Sequence, residues 1–491
     1  MESFSGKHVL VLGLGLHGGA VGNITWLASE GARVTVSDTK SEKELTKTIQ
    51  QLSHIPDITY LFGNQDDLDL SNIDYIIRNP AVPRHSAIIE TARSKNIPIL
   101  MDSSIFFSQI DRNRIIGITG SKGKTTTSHA IYHVLKTIFP NTIIVGTDGM
   151  SPLKSLLPLT KGELEGLRTT QLTSPSPFFV RRGNEPPIIF ELSSWRLEAL
   201  QEFHLSPHIA VCTSIYKDHL NTYSSYEEYI DVKKQIIKDQ HKDDVALLNY
   251  DDEIIRTWEK DVRGKLFWYS VQGLPRETQG AKWGIWVDKE DVIIRMNSPE
   301  EIICSISDIP YSSPHELRNK LPAIFIALLY GATTDQIINA VRNIPPLQHR
   351  MQLVRELDGV QYINDTTATM PDATIAELQY LDQKPLILIL GGSDKALEFA
   401  DLVQAIGRAN IKHIIWLPGT VTQRMQEEIV PHTKTISHDV NTMNEAVSLA
   451  HQLARPGDTV LLSPGATSFG LFVHEFARGD AFITAVQNLK K

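Results

Sequence analysis

Residues 117–127 read GITGSKGKTTT. The apolar run Ile115–Ile118 enters this stretch as a buried strand, and the pattern HAIYHVLKTIF leaves it as a helix. No other stretch constrains the fold as much. Glycines let the backbone bring its N–H groups inward, and the free amides of a helix start complete a cradle for phosphate. A strand that feeds a helix through such a loop belongs to a parallel α/β sheet, where ligands collect at the carboxyl ends of the strands. Lys124 is placed to neutralise β- and γ-phosphates, and the Thr125 hydroxyl to reach a magnesium ion. The loop departs from the common G-x-x-x-x-G-K-[ST] form, because Ile118 stands where its first glycine belongs.

A second glycine motif opens the chain. Gly13, Gly15 and Gly18 lie between the strand-like KHVLVLGLG and the helical AVGNITWLASEG. RVTVSD follows as a second strand ending in Asp38. This β-α-β unit suits a dinucleotide, another nucleotide diphosphate or a purely structural turn. The phosphate loop further on shifts weight away from hydride transfer.

The alternation continues through YIIRNPAV, IPILMD, IIFEL and HIAVCTSI. Residues 150–187 are irregular and rich in Pro, Ser and Thr, and 265–310 are turn-rich and strand-like. KLPAIFIALLYG and TDQIINAVRNI read as helices, and PPLQHR as a linker. Strands YIND, LILILGG, HIIWLPG and TVLLSP then mark a last unit. A chain of 491 residues is too long for one core. The expected fold is α/β in three consecutive domains. These are a Rossmann-like domain over 1–112, a central P-loop-type ATPase domain over 113–346, and a Rossmann-like domain over 347–491.

Several polar groups fall at strand ends or helix starts in this frame. Glu191 closes IIFEL, where a carboxylate can serve as a Mg²⁺ ligand. Lys217-Asp218-His219 follows the next strand, and Ser224-x-x-Glu227 reads as a capping box whose helix carries Lys233. The last domain offers His349-Arg350, NDTTAT at 364–369, GGSDK at 391–395 and SPGATS at 463–468. The net charge of −9 argues against a general nucleic-acid binder. No apolar run has the length of a membrane span, and MESFSGKHVL lacks a signal-peptide layout. Two cysteines, Cys212 and Cys304, are too few for a disulfide framework and read as small buried residues. These features together predict a cytoplasmic protein.

Taken in order, GLGLHG with DTK, TGSKGKTTT, ELSSWRLE, DH with a helix lysine, HR, NDTTAT, GGSDK and SPGATS resemble the Mur ligases of peptidoglycan synthesis. The resemblance spans nearly the whole chain, and T-G-x-x-G-K-[ST]-T is that family's form of the phosphate loop. Within the family it is nearest to the branch that attaches glutamate to UDP-N-acetylmuramoyl-L-alanine. The resemblance implies an ATP-driven ligase that works through an acyl phosphate, with two Mg²⁺ ions. It implies a monomer whose partners are small molecules, not nucleic acid or membrane.

The same resemblance implies roles for single residues. Leu16 and His17 would lie in the diphosphate loop, with Asp38 and Thr39 at the uracil, Lys40 at the diphosphate and Ser193 also on the UDP substrate. Thr119, Gly120, Ser121, Lys122, Gly123, Lys124, Thr125 and Thr126 would hold ATP phosphates, and Asn319, Arg350 and Asp365 the rest of ATP. Thr125, Glu191, His219 and Lys233 would ligate metal, Lys233 as a carbamate made with CO₂. Lys124, Lys233, His219 and Glu191 would form the catalytic set. Thr369, Lys395 and Ser468 would hold the incoming amino acid.

Some positions depart from the family pattern. Gly146-Thr147-Asp148-Gly149 replaces a glycine-asparagine loop, and TTQLTSPSP resembles a loop of later Mur ligases. Arg196 replaces a glutamine, Glu316 an asparagine and Thr367 a lysine, while Glu475 aligns with an aromatic that Phe476 follows. Thr367 and Glu475 fall in the amino-acid pocket, so D-glutamate, L-glutamate and other amino acids stay open. An NAD-dependent oxidoreductase would leave Lys124, Lys233 and the last domain without a task. A regulator that had lost catalysis would have no need to retain Lys124, Glu191, His219 and Lys233.

Overall fold

The computed structural model describes residues 3–15, 19–147, 150–157, 186–217, 222–275, 282–296, 299–311, 314–381, 384–394, 397–468 and 470–490. The chain forms two compact units, Met1–Ile344 and Pro345–Lys491. Among the described residues the strands make three sheets.

The first unit holds two of them. Strands β1 (His8–Leu12), β2 (Arg33–Asp38), β3 (Thr59–Phe62), β4 (Tyr75–Arg78) and β5 (Ile99–Leu100) form a parallel sheet in the order β3-β2-β1-β4-β5. Its order reverses beside β1, so the glycine loop after β1 opens at the crevice where α/β sheets take ligands. The larger sheet contains β6 (Ile115–Thr119), β7 (Ile143–Val145), β8 (Ile188–Glu191), β9 (Ile209–Cys212), β10 (Val245–Asn249), β11 (Lys265–Ser270), β12 (Gly284–Asp288), β13 (Asp291–Arg295) and β14 (Glu301–Ser305). It runs β14-β13-β12-β11-β10-β9-β6-β8-β7, parallel from β7 to β12, with an antiparallel meander from β12 to β14.

Alternation along β6 shows why this sheet is buried on both sides. Ile115 belongs to a core that runs from Phe4 and Trp26 through Phe106 and Phe190 to Trp258. Ile116 and Ile118 belong to the opposite core with Ile131, Leu321 and Phe325. Side chains alternate between faces with a period of two, so a fully buried strand reads as a continuous apolar run. The first core spans residues from both sheets, which is why Met1–Ile344 holds together as one unit.

The second unit has β15 (Gln352–Leu357), β16 (Val360–Asn364), β17 (Leu386–Leu390), β18 (Ile411–Trp416), β19 (Ile436–Asp439) and β20 (Thr459–Leu462), ordered β15-β16-β20-β17-β18-β19. Only the β15 edge is antiparallel within it. Among the described residues no helix is long and apolar enough to cross a membrane.

One local expectation shifts by a residue. The helix that carries Lys233 spans Tyr226–Lys238 and is capped by Ser225, whose hydroxyl accepts from the Glu228 N–H at 3.1 Å. The carboxylate of Glu228, not Glu227, closes the cap by accepting from the Ser224 N–H at 2.7 Å. With consecutive serines and consecutive glutamates, either register satisfies the sequence pattern, and backbone geometry selects the later one.

Candidate active site

The phosphate loop is held in shape by the segment after β9. Gly120 and Gly123 have φ of +148° and +86°, conformations that favour glycine. A Cβ on Gly120 would lie 2.0 Å from Thr213 Oγ1, and one on Gly123 2.6 Å from Asn319 Oδ1. The Ser121 N–H donates to Ser214 O at 2.6 Å, and the Thr213 hydroxyl to Lys122 O at 2.5 Å. Ser121 Oγ lies 2.9 Å from the Tyr229 hydroxyl and accepts from the Tyr216 N–H at 2.9 Å. Thr119, at the end of β6, is buried and donates its hydroxyl to Leu192 O at 2.7 Å. The cradle is therefore built before any phosphate arrives, and Asn319 stands against it.

Charged groups gather at the loop. Thr125, in the first turn of the helix Lys124–Ile138, donates its hydroxyl to Glu191 Oε1 at 3.3 Å. The other carboxylate oxygen, Glu191 Oε2, is buried and has no hydrogen-bond partner among the described residues. A buried carboxylate oxygen left open beside a hydroxyl is the oxygen donor set a hard divalent cation takes, so these residues fit Mg²⁺. Among the described residues no group of three or more His, Cys, Asp or Glu side chains could hold a metal, and His219 lies outside them. The Lys124 ammonium donates to Gly120 O at 2.9 Å and Ser121 O at 3.0 Å. The Lys233 ammonium, 2% exposed, donates to Gly120 O at 3.0 Å and Thr119 Oγ1 at 3.3 Å. It also lies 5.5 Å from the Tyr229 ring centre.

At the N-terminal glycine loop, Asp38 is buried and its carboxylate is committed to the backbone. Oδ2 accepts from the Leu14 and Gly15 N–H groups at 2.9 and 3.0 Å, and Oδ1 from the Lys40 N–H at 2.9 Å. Asp38 thus ties the end of β2 to the loop after β1. Thr39 is exposed and Lys40 half-buried beside it, while Leu16 and His17 lie outside the described residues. Ser193 caps the helix Ser194–Glu202, its hydroxyl accepting from the Arg196 N–H at 3.4 Å.

In the second unit Arg350 donates to Thr367 Oγ1 at 3.2 Å, and the Thr367 hydroxyl donates to Asp365 Oδ1 at 2.7 Å. The Thr369 N–H donates to Thr367 O at 2.8 Å. Ser468 Oγ is buried with no hydrogen-bond partner among the described residues. The GGSDK and SPGATS loops pair through a bridge between Ser393 and Thr467; Lys395 lies outside the described residues. Arg478, 1% exposed, clamps two loops from the helix Glu475–Gln487. It donates from Nε to Thr366 Oγ1 at 3.0 Å, from Nη2 to Thr366 O at 2.8 Å and from Nη1 to Ala466 O at 3.1 Å. Burial pushes its pKa down to about 10.

Family models match in succession along the chain: the Mur ligase MurD-like N-terminal domain at 7–101, the Mur ligase middle domain at 118–327 and the Mur ligase glutamate ligase domain at 349–465. The chain belongs to the Mur ligase family. This Mur ligase is 36% identical over 488 residues to the UDP-N-acetylmuramoylalanine–D-glutamate ligase of a Roseiflexus species, covering 99% of each chain. It is 30% identical over 487 residues to the enzyme of the same name from Alkaliphilus metalliredigens, again covering 99% of each. Among solved structures it resembles MurC of Thermotoga maritima, with TM-score 0.58 and 17% identity over 98% of this chain and 100% of that one. A MurF from Acinetobacter baumannii gives TM-score 0.57 and 14% identity over 93% and 91%. Such distant likeness concerns the fold alone, which is the three-domain architecture of the Mur ligases.

Spacing alone does not single out several residues of the Mur ligase site. Thr213, Ser214 and Tyr229 hold the phosphate loop; the one signal for the first two is that CTSI ends the strand next to β6, while Tyr229 sits on the helix that carries Lys233. Arg478 is signalled by a charge on the face that buries Phe482 one turn later. Of the departures, Glu316 pairs with Lys320 at 2.7 Å along the helix Pro314–Leu329. Glu475 begins the last helix and its carbonyl accepts from the Thr366 hydroxyl at 2.8 Å.

Proposed function

We propose that this Mur ligase joins D-glutamate to UDP-N-acetylmuramoyl-L-alanine in peptidoglycan synthesis, converting ATP to ADP and phosphate. The observation that carries it is the union, at one sheet end, of a built phosphate loop, Lys124 and the open Glu191 carboxylate. The names of the full-length relatives supply the substrates.

The substrate's terminal carboxylate oxygen attacks the γ-phosphorus of ATP, the bond to the β-phosphate oxygen breaks, and an acyl phosphate forms. The amine of glutamate then attacks the acyl carbon, loses a proton, and phosphate leaves. The amides at the start of the helix, Lys124 to Thr126, orient the triphosphate, and Lys124 swings from the Gly120 and Ser121 carbonyls to offset the charge that grows on the transferred group. Thr125, Glu191, His219 and Lys233 would hold two Mg²⁺ ions, which supply Lewis-acid charge neutralisation when bound. Lys233 would serve as a carbamate: its amine bonds to the carbon of CO₂ and releases a proton, so a buried cation becomes an anion. Lys233 is buried at the loop, with its nitrogen against Gly120 O, which places it beside the phosphate cradle where that exchange would act.

Asn319 and Arg350 would contact ATP and Asp365 its ribose. Leu16, His17, Thr39, Lys40 and Ser193 would face the UDP substrate, with Asp38 shaping the loop beneath it. Thr369, Lys395 and Ser468 would hold the amino acid. We further propose domain limits at 1–112, 113–346 and 347–491, and a monomer acting in the cytoplasm.

Phosphate release from ATP is to be measured with UDP-N-acetylmuramoyl-L-alanine and D-glutamate, L-glutamate or other amino acids in turn. Release that requires both the UDP substrate and D-glutamate is expected. Release with L-glutamate instead would move the specificity to Thr367 and Glu475. No release with any of them, from folded protein that binds ATP, would defeat the proposal.

A further inference from the structure

Arg196 stands where the family pattern has glutamine, and the structure shows what it does. It lies in the first turn of the helix Ser194–Glu202 and is 7% exposed. Nε donates to Asp102 Oδ1 at 3.4 Å, and Nη2 to Asp102 Oδ2 at 3.1 Å and Met150 O at 2.8 Å. Nη1 donates to Gly146 O at 2.6 Å and Glu191 O at 3.4 Å. A guanidinium has five N–H donors, and all are spent here. Arg196 therefore has no donor left for a substrate.

We propose that Arg196, paired with Asp102, is a positioning residue that aims the Glu191 carboxylate at Thr125. Three observations converge on it. The guanidinium joins three elements: the start of the helix Asp102–Gln109, the segment after β7, and the end of β8. The segment after β7 is packed so closely that a Cβ on Gly146 would lie 2.5 Å from Glu191 O and 2.9 Å from Arg196 Nη1. On the other side of Glu191, the Leu192 N–H donates to Ile118 O at 2.8 Å. The backbone that carries the carboxylate is thus gripped from both sides, by the Arg196 guanidinium on one and on the other by β6, whose Thr119 hydroxyl also holds Leu192 O.

A glutamine at 196 would offer two N–H donors and one acceptor, too few to reach Asp102, Gly146, Met150 and Glu191 together. The ion pair is also buried, with side chains 8% and 7% exposed. A buried pair gains little net stability over apolar packing, so its use here is geometric.

The proposal rests on Glu191 as a metal ligand, and the experiment separates the two ideas. Mn²⁺ binding to the ADP-loaded enzyme is followed by electron paramagnetic resonance for wild type, Glu191→Gln, Arg196→Gln, Arg196→Lys and the double variant Asp102→Asn/Arg196→Gln. KM for the UDP substrate and for D-glutamate is measured on the same proteins. Arg196→Gln is expected to weaken Mn²⁺ binding about 10-fold or more, the usual cost of losing an orienting partner, with KM for D-glutamate unchanged. Arg196→Lys is expected to fall between. The double variant strands no carboxylate, and so keeps the test open if Arg196→Gln fails to fold. Any folded variant lacking the Arg196 side chain that binds Mn²⁺ like wild type overturns the positioning role, provided Glu191→Gln binds it weakly. If neither Arg196→Gln nor the double variant folds, Arg196 is structural only and the proposal is overturned. Unchanged Mn²⁺ binding in Glu191→Gln instead removes the metal role of Glu191.

Discussion

Lys124 and Lys233 share one acceptor: their ammonium nitrogens lie 2.9 and 3.0 Å from the Gly120 carbonyl oxygen. They come from different helices, the first from the turn that follows the phosphate loop and the second from Tyr226–Lys238. Two cations on one dipole repel, and an anion bound beside them would relieve that repulsion.

Lys233→Ala is expected to lower kcat on the order of 100-fold, with partial recovery in acetate or formate. Wild-type enzyme incubated with ¹³C-bicarbonate should show a carbamate carbon by NMR that the variant lacks. A variant with full activity would remove Lys233 from the mechanism.

Gly123→Ala places a Cβ 2.6 Å from Asn319 Oδ1 at a φ of +86°. About 1–2 kcal/mol of backbone strain follows, together with displacement of Asn319. ATP affinity measured by calorimetry should fall while binding of the UDP substrate stays near wild type; equal loss of both would point to general unfolding.

Ser468 and Arg478 separate function from stability in the second unit. Ser468→Ala deletes a buried hydroxyl that has no partner among the described residues, so Tm should hold or rise while KM for the amino acid increases. Arg478→Met removes three hydrogen bonds to Thr366 and Ala466, leaving buried acceptors unmet at about 1–3 kcal/mol each. Its Tm should fall by several degrees.

Asp38→Ala strands the Leu14 and Gly15 amides that the carboxylate binds. KM for the UDP substrate should rise through loss of loop shape, and Asp38→Asn, which keeps an acceptor, should lose less. NADH should bind neither protein; binding to wild type would reopen the oxidoreductase alternative.

Fully buried strands were legible in the sequence because burial on both faces leaves continuous apolar runs such as IIGIT and LILIL. The edge strands β3, β15 and β19 are mostly exposed or half-buried, so they lack the continuous apolar run that marks a buried strand. At the site, glycines and the Lys-Thr pair announce the phosphate loop, since backbone approach demands those residue types. Thr213 and Ser214 act through Lys122, and Arg196 through Asp102 and Gly146, all 50 or more positions away in the chain, which local pattern cannot reveal. Asp38 was visible, but its burial beneath the loop amides was not.

The Arg196–Asp102 pair also limits how this chain can drift. Losing either partner first leaves a buried charge without its counterion, at a cost of about 3–5 kcal/mol. An ancestor with glutamine at 196 could gain the arginine only where an acid already stood at 102, and a descendant can return only if both positions change together. Positions 102 and 196 are therefore expected to covary across relatives, with each lineage locked into the pair it inherits.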